Sequence, residues 1–195
     1  MVYIHRLPED LDRKARPAAE RRAGWELLRL AARRWGIELP LDIKEALTFG
    51  PHGKPFLKSG AFFFNISHSR GLAVCAVEDS PVGVDVERCR VFSAALAQRI
   101  CTAEEAVLIA ERTDRDSALT RLWTAKESHM KLTGMGMAQG ITQTAFCALW
   151  PEPRLAKPPV PCFFHSQRLE HGGQGFWLTE CCEKDFVLAA EFIEG

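Results

Sequence analysis

Residues 122–136 read LWTAKESHMKLTGMG, and this stretch organises the interpretation of the whole chain. Its apolar residues favour a helix with one hydrophobic face, and its charged residues form a compact cluster of Lys126, Glu127 and Lys131. Glu127 and Lys131 are four apart, so they share one face of a helix. A carboxylate and an ammonium presented together suit a metal–phosphate site, and they suit an ordinary surface ion pair equally well.

The bulk composition is that of an ordinary folded protein. The 195 residues include 25 Lys plus Arg and 25 Asp plus Glu, so the formal net charge is zero and nothing global indicates nucleic-acid binding. The length is sufficient for one large domain or two small lobes. Basic residues concentrate between positions 13 and 34, which indicates either a local anion site or a solvated helix face.

The cysteines and the N-terminal sequence indicate a cytoplasmic protein. There are seven cysteines and no Cys-x-x-Cys pair, so we expect reduced thiols and neither a disulfide framework nor a zinc site. Charged residues come too early for a signal peptide. No apolar run approaches the ~20 residues that a membrane-spanning helix needs, so we expect no membrane association.

The order of predicted elements is helix, strands, helices, strands, which predicts an α+β fold. Helices are predicted at residues 18–35, 92–100, 102–111 and 117–132, and Thr102 and Glu105 are predicted to form a capping box at the start of the third. Strands are predicted at residues 2–7, 61–66, 72–77, 82–86, 140–146, 162–165, 176–181 and 186–192. Residues 67–71 are predicted to be the turn of a hairpin, and the proline-rich residues 151–161 a loop. The pattern occurs roughly twice, so we place a boundary near Phe92, giving lobes of residues 1–92 and 93–195.

Three carboxylates are candidates for one site. Asp85 and Glu87 are two apart in a predicted strand and therefore share a face. If the helix of residues 117–132 packs on that strand, Glu127 joins them. Carboxylates at ~4 Å repel by about 4 kcal/mol per pair at an effective dielectric of ~20, and a cation would remove that cost. All-oxygen ligands suit Mg²⁺ or Mn²⁺ together with phosphates. The open alternative is that Asp85 and Glu87 form an exposed strand end while Glu127 pairs with Lys131.

Lysines near this cluster could hold phosphate oxygens. Lys54 lies on a predicted loop, and Lys126 and Lys131 lie on the predicted helix, although any one of them could simply be solvated. His68 follows an apolar strand, where histidine is more often a structural hydrogen-bonding residue than a catalyst. The adjacent Ser67 raises the possibility of a serine hydrolase, but the sequence has no G-x-S-x-G elbow.

Four motifs, in order along the chain, resemble the 4′-phosphopantetheinyl transferase superfamily. They are HGKPF, FNISHS, VGVDVE and WTAKESHMKLTGMG, spanning residues 52–136. The size and the Asp-x-Glu resemble the Sfp (surfactin-synthetase-activating) type of holo-acyl-carrier-protein synthase rather than the short trimeric synthases. The resemblance implies transfer of the 4′-phosphopantetheine arm of coenzyme A to a serine of an acyl or peptidyl carrier protein. It also implies two similar lobes, each an antiparallel sheet packed with a long helix, with the active site at their junction.

The resemblance also assigns roles to individual residues. It implies that Asp85, Glu87 and Glu127 coordinate Mg²⁺, with Mn²⁺ also possible, and that Glu127 is the base for the carrier serine. Lys131 would neutralise the charge on the leaving phosphate. Contacts to coenzyme A are expected from these residues: Lys54, Ser67, His68, Lys126, Arg16 and Arg22. Among them, the two arginines are candidates for the 3′-phosphate.

Two other functions remain to be separated from this one. A non-catalytic coenzyme A- or carrier-binding module would need a lost catalytic residue, yet Asp85, Glu87, Glu127 and Lys131 are all present. Another metal-dependent phosphate enzyme, such as a nucleotide hydrolase, would need a different substrate pocket. The resemblance implies a monomer that binds a carrier protein and coenzyme A, with no nucleic-acid or membrane partner.

Overall fold

The computed structural model describes residues 1–158 and 161–193. The helices of this part are α1 (Arg16–Arg34), α2 (Ala94–Ile100), α3 (Ala103–Ala110) and α4 (Arg115–Thr133). The strands are β1 (Val2–Arg6), β2 (Leu47–Phe49), β3 (Pro55–Leu57), β4 (Phe63–Ser69), β5 (Leu72–Glu78), β6 (Val82–Arg88), β7 (Phe146–Ala148), β8 (Arg154–Leu155), β9 (Phe163–His171), β10 (Gln174–Cys182) and β11 (Ala190–Ile193). Short 3-10 helices lie at Ile43–Ala46, Gly136–Gln139 and Ile141–Gln143.

Two sheets form the framework. The first has the strand order β11-β1-β5-β4 and the second the order β6-β10-β9, while β2–β3 and β7–β8 are small separate pairs. The second sheet is antiparallel throughout. The first is mixed, because β11 runs parallel to β1. The expectation that each sheet is antiparallel is therefore wrong for this pair: β11 reaches the open edge of β1 from the far end of the chain and runs alongside it.

The helices cover the outer faces of the two sheets, and an apolar layer fills the space between the sheets. Helix α1 buries Leu27 and Leu28 together with side chains of the first sheet. Helix α4 buries Leu122 together with Cys181 of β10. Between the sheets, alternate side chains of β1, β5, β6 and β10 form a separate core that includes Ile4. Alternation along each strand explains why one strand contributes to two of these cores.

All four predicted helices are confirmed. The structure confirms the helices predicted at residues 18–35, 92–100, 102–111 and 117–132, within three residues at each end. Thr102 and Glu105 form the reciprocal capping box at the start of α3. Helix α1 ends at Arg34 with Trp35 as its C-cap, and Gly36 follows at a φ of 73°, which suits glycine.

Several predicted strands and turns are wrong in position. Residues 67–71 are not all turn, since β4 continues to Ser69 and the turn lies at Arg70 and Gly71. Residues 140–146 contain a 3-10 helix, and strand β7 begins only at Phe146, the last of them. The C-terminal strand starts only at Ala190. The predicted loop of residues 151–161 contains β8. Residues 159–160 of that loop, and residues 194–195 of the predicted second lobe, lie outside the described residues.

Candidate active site

The two sheets meet along β4 and β6. Side chains of β4 accept hydrogen bonds from backbone N–H groups of β6: Asn65 from Val84 (2.9 Å), Ser67 from Val86 (3.3 Å) and Ser69 from Arg88 (3.3 Å). These bonds explain why the polar NISHS segment is a strand and not a turn. Polar side chains at alternate positions satisfy edge donors that would otherwise need water. We call this set of contacts the β4–β6 seam.

Asp85 is the centre of a hydrogen-bonded cluster at the seam. Its Oδ1 accepts from Lys131 Nζ and from Ser67 Oγ, each at 2.7 Å. Lys131 Nζ also donates to Ser67 Oγ at 2.9 Å and to the carbonyl of Val84 at 3.1 Å. Asp85 is only 6% exposed. Helix α4 is thereby connected through one lysine to both β4 and β6.

Glu87 and Glu127 both lie close to the negative charge of Asp85. Burial raises the pKa of Glu127, the nearby Asp85 raises it further, and Lys131 partly offsets these effects. Burial also raises the pKa of Glu87, and Asp85 again adds to the shift. The three carboxylates are therefore near enough for their charges to interact. Because Asp85 is buried and Glu87 half-buried, the alternative in which they form an exposed strand end is wrong.

The surface pair of Glu127 with Lys131 is wrong as well. In the part of the chain that the structure describes, the carboxylate within ion-pair distance of Lys131 is that of Asp85, at 2.7 Å. Lys131 is partly exposed and Asp85 is buried, so this pair lies where the β4–β6 seam meets the solvent, which we call the mouth of the site. The lysine therefore pairs with Asp85, and its charge only partly offsets the raised pKa of Glu127.

The donor chemistry of the cluster fits a hard divalent cation. Across residues 1–158 and 161–193, no three His, Cys, Asp or Glu side chains stand in a ready-made metal-binding arrangement. The three carboxylates nevertheless offer oxygen donors alone. Burial is the main cause of the raised pKa values of Glu87 and Glu127, and the charge of Asp85 adds a repulsion that a cation would relieve. Oxygen donors of this kind suit Mg²⁺ or Mn²⁺ and disfavour zinc.

Lys54 lies at the end of α4. Its Nζ donates to the carbonyls of Leu132 (2.8 Å) and Val82 (3.1 Å), so it binds a free carbonyl of the last helical turn and the start of β6. Burial lowers the pKa of Lys54 to about 8. The same side chain lines a cavity of about 210 Å³, which Met130 and Lys131 also border.

Ser67 and His68 face opposite sides of β4, as adjacent strand residues do. His68 Nδ1 lies 3.3 Å from Glu20 Oε2 on α1, and the His68 side chain is 38% exposed. The other oxygen of Glu20 accepts from the backbone N–H of Gly71 at 2.7 Å. His68 thus pairs with Glu20 and remains partly exposed, while Ser67 belongs to the carboxylate cluster.

Lys126 pairs with a buried carboxylate, and its predicted contact with coenzyme A is wrong. Its side chain is fully buried, with Nζ 2.8 Å from Glu105 Oε2 and 3.1 Å from the carbonyl of Ile141. Consecutive helical residues point about 100° apart, so Lys126 faces α3 whereas Glu127 faces β6. Sequence reasoning recognised Glu105 only as a helix cap, and nothing local indicates its second role.

The two predicted arginines lie in different surroundings. Arg22 is exposed and lies 3.8 Å from Glu26 one turn along α1. Arg16 donates to the carbonyl of Leu11 at 3.0 Å and lines a cleft of about 200 Å³ with Arg70, Arg88 and His171, among other residues. The structure thus groups Arg16, and not Arg22, with further basic side chains that sequence reasoning missed.

Comparison with known proteins defines the class. The family model for the 4′-phosphopantetheinyl transferase superfamily matches residues 81–189. This match covers 109 of the 195 residues and includes β6 and α4. The chain therefore belongs to that superfamily, and the resemblance seen in its motifs is confirmed.

Individual relatives include Sfp-type enzymes. The chain is 34% identical to 4′-phosphopantetheinyl transferase psf-1 of Bacillus pumilus over 151 residues, covering 73% of this chain and 62% of the relative. It is 38% identical to the 4′-phosphopantetheinyl transferase HetI of a Nostoc species over 114 residues, covering 53% of this chain and 46% of the relative. It is 32% identical to 4′-phosphopantetheinyl transferase Sfp of Bacillus subtilis over 77 residues, covering 38% of this chain and 34% of the relative. The chain thus spans less than two thirds of the length of these relatives. Over its described residues, no helix has the length and apolarity to cross a membrane.

Proposed function

We propose that the chain transfers the 4′-phosphopantetheine arm of coenzyme A to a serine of an acyl or peptidyl carrier protein, with release of adenosine 3′,5′-bisphosphate. Membership of the superfamily supports the reaction class. The observation that carries the proposal for this chain is the convergence of Asp85, Glu87, Glu127 and Lys131 at the β4–β6 seam. Phosphoryl transfer depends mainly on positioning and on neutralising oxygen charge, and these side chains supply both.

The carboxylates would hold Mg²⁺, or Mn²⁺ in its place. Asp85, Glu87 and Glu127 are the proposed ligands, and the bound cation supplies positive charge next to the pyrophosphate oxygens. Glu127 is also the proposed base. A serine hydroxyl is a weak nucleophile until a base takes its proton, and a carboxylate with a raised pKa is better matched to that task near neutral pH.

Lys131 would bind the oxygen on which charge develops as the phosphate leaves. In the structure it already donates to Ser67 and Asp85, so its ammonium is held at the mouth of the site. Ser67 is proposed to contact the pyrophosphate beside it. The cavity next to Lys54 is the proposed place for the nucleotide end of coenzyme A. Of the remaining candidates, His68, Arg16 and Arg22 are kept for the phosphates, with the 3′-phosphate assigned to the two arginines.

The proposal includes the division into lobes of residues 1–92 and 93–195, with the site at their junction. Each half supplies a 19-residue helix, α1 or α4, which supports the pseudo-two-fold arrangement. Strand β6 pairs with β10 and strand β11 with β1, so each half lends one strand to the sheet of the other. A cytoplasmic monomer, with no nucleic-acid or membrane partner, completes the proposal.

The test is a mass-shift assay on a panel of carriers. The purified chain, coenzyme A and Mg²⁺ are mixed with apo carrier proteins of fatty-acid, polyketide and nonribosomal-peptide type. We expect at least one carrier to gain the mass of one phosphopantetheine group. If coenzyme A binds in calorimetry but no carrier gains mass, the chain is a binding module. If coenzyme A does not bind and nucleotides release phosphate, it is a hydrolase.

Glu127→Gln tests the role of the central carboxylate. The exchange keeps the shape of the side chain and removes its charge, so we expect transfer to be abolished while the circular dichroism spectrum is unchanged. Glu104→Gln is the matched control, because Glu104 is an exposed glutamate on α3. Transfer by Glu127→Gln within a few-fold of the parent would show that Glu127 is neither ligand nor base.

A further inference from the structure

Lys126 and Glu105 form a fully buried ion pair between α4 and α3. Lys126 Nζ lies 2.8 Å from Glu105 Oε2 and donates to the carbonyl of Ile141 at 3.1 Å. Glu105 Oε1 accepts from the backbone N–H of Phe146 at 2.8 Å, and Oε2 accepts from that of Thr102 at 2.8 Å. The pair therefore joins α3, α4 and residues 141–146, which follow α4 in the chain.

Stability alone does not account for such a pair. Removing two charges from water is costly, and replacing a buried ion pair by apolar residues of similar size is often neutral or stabilising. The backbone partners indicate what the pair specifies, because each is a single N–H or C=O group at a fixed place. A different rotation of α4 would separate Lys126 from Ile141 and from Glu105 at once.

We propose that Lys126 and Glu105 are positioning residues that fix the rotation of α4 and so hold Glu127 toward β6. The inference rests on the proposed function, since it assigns a purpose to the residue that precedes the proposed base. Glu127 follows Lys126 directly and points about 100° away from it around the helix. Anchoring Lys126 on the α3 side therefore sets the direction in which Glu127 leaves the helix.

The surrounding backbone groups also determine which position of the pair must hold the carboxylate and which must hold the lysine. Thr102 and Phe146 present N–H donors to Glu105, and Ile141 presents a carbonyl acceptor to Lys126. Exchanging the two residues would set an ammonium against two donors and a carboxylate against an acceptor. A charge-swapped pair should therefore fail to restore activity, although its two charges could still attract each other.

Arg121 provides a matched control on the same helix. It is buried, its Nη2 donates to the carbonyl of Pro151 at 2.6 Å, and it lies 3.2 Å from Glu152 Oε2. Like Lys126, it ties α4 to a later segment through one carboxylate and one carbonyl. It lies six residues before Glu127 and bonds a different segment, so its loss should not turn the proposed base.

The experiment compares Glu105→Met/Lys126→Met with Arg121→Met in the full chain. In the double variant we expect cooperative thermal unfolding, a fall in kcat of about 30- to 100-fold, and a KM for coenzyme A within about threefold of the parent. Hydrogen exchange of residues 141–150 should accelerate at least tenfold. Arg121→Met should keep kcat within about threefold. Glu105→Gln/Lys126→Met, which keeps one oxygen acceptor, replaces the first variant if that one does not fold.

Two results would overturn the inference. One is a folded double variant with kcat within threefold of the parent and unchanged exchange at residues 141–150. The other is a loss of kcat in Arg121→Met as large as in the double variant, which would indicate general destabilisation. If the parent chain transfers nothing to any carrier, the proposed function fails. Hydrogen exchange at residues 125–130 and 141–150 then decides by itself whether the ion pair orders α4 and the segment after it.

Discussion

Gly83 is the residue that allows α4 to lie directly on β6, and Gly83→Ala tests this packing. A Cβ atom at Gly83 would lie 2.0 Å from the carbonyl oxygen of Ser128 and 2.5 Å from the N of Leu132. Real Cβ contacts essentially never fall below 3.0 Å, so the gap to Ser128 must open by about 1 Å. Both neighbours are helix backbone, and no side-chain rotation can relieve the clash. Helix α4 and strand β6 have to move apart.

The expected cost of Gly83→Ala follows from that displacement. Overpacking typically costs about 1–3 kcal/mol, and a clash with backbone on two sides places this variant at about 3 kcal/mol in the free energy of unfolding. Asp85 lies two residues after Gly83, while Glu127 and Lys131 lie on the helix that moves. A misplacement of about 1 Å between reacting groups costs roughly 100-fold in turnover. Urea unfolding and the time course of carrier modification measure the two effects.

Gly175→Ala is the matched control for Gly83→Ala. Gly175 lies in β10 of the same sheet, and its Cβ would come within 2.8 Å of a terminal nitrogen of Arg168. That guanidinium ends a side chain that is 47% exposed, so it can turn aside. We expect a change in unfolding free energy of at most about 0.5 kcal/mol and normal transfer. A loss below about 1 kcal/mol in Gly83→Ala, or turnover close to that of the parent, would refute the packing argument.

Two further variants address the lysines of the site. Lys131→Ala should lower kcat more than it weakens coenzyme A binding in calorimetry, because its charge is needed most as the phosphate leaves; equal losses would indicate a binding role. Lys54→Met should change the dependence of stability on pH. The pKa of Lys54 falls from 10.5 to about 8 on burial, so between these values the unfolded chain binds more protons and the stability of the parent rises with pH. Relative to Lys54→Met, the parent should gain up to about 1.4 kcal/mol per pH unit from pH 8 to 10 in urea unfolding, and parallel curves would contradict the shift.

The features predicted correctly from sequence depend on local geometry. The common face of Asp85 and Glu87 follows from strand alternation, and the helix that carries Glu127 follows from its periodicity. The capping box of Thr102 and Glu105 involves residues three apart, so four consecutive residues are enough to recognise it. In each case the atoms that decide the outcome lie within one turn or one strand of each other.

The features that were missed depend on partners far away in the chain. Strand β4 extends to Ser69 because β6, about 19 residues later, supplies N–H donors to its side chains. The parallel pairing of β11 with β1 joins opposite ends of the described chain and leaves no local signal. Lys126 looks like a surface lysine until Glu105, in a different helix, is placed against it.

Ser67 shows why the site and the contact between the sheets cannot be separated. Its hydroxyl donates to Asp85, accepts from Lys131 and accepts from the backbone N–H of Val86. One oxygen of the first sheet therefore fixes a strand of the second sheet and the helix that covers it. Because Ser67 crosses the seam, any movement that opens the seam also separates its hydroxyl from Asp85 and Lys131. The geometry of the carboxylate cluster is consequently a property of both sheets and α4 together.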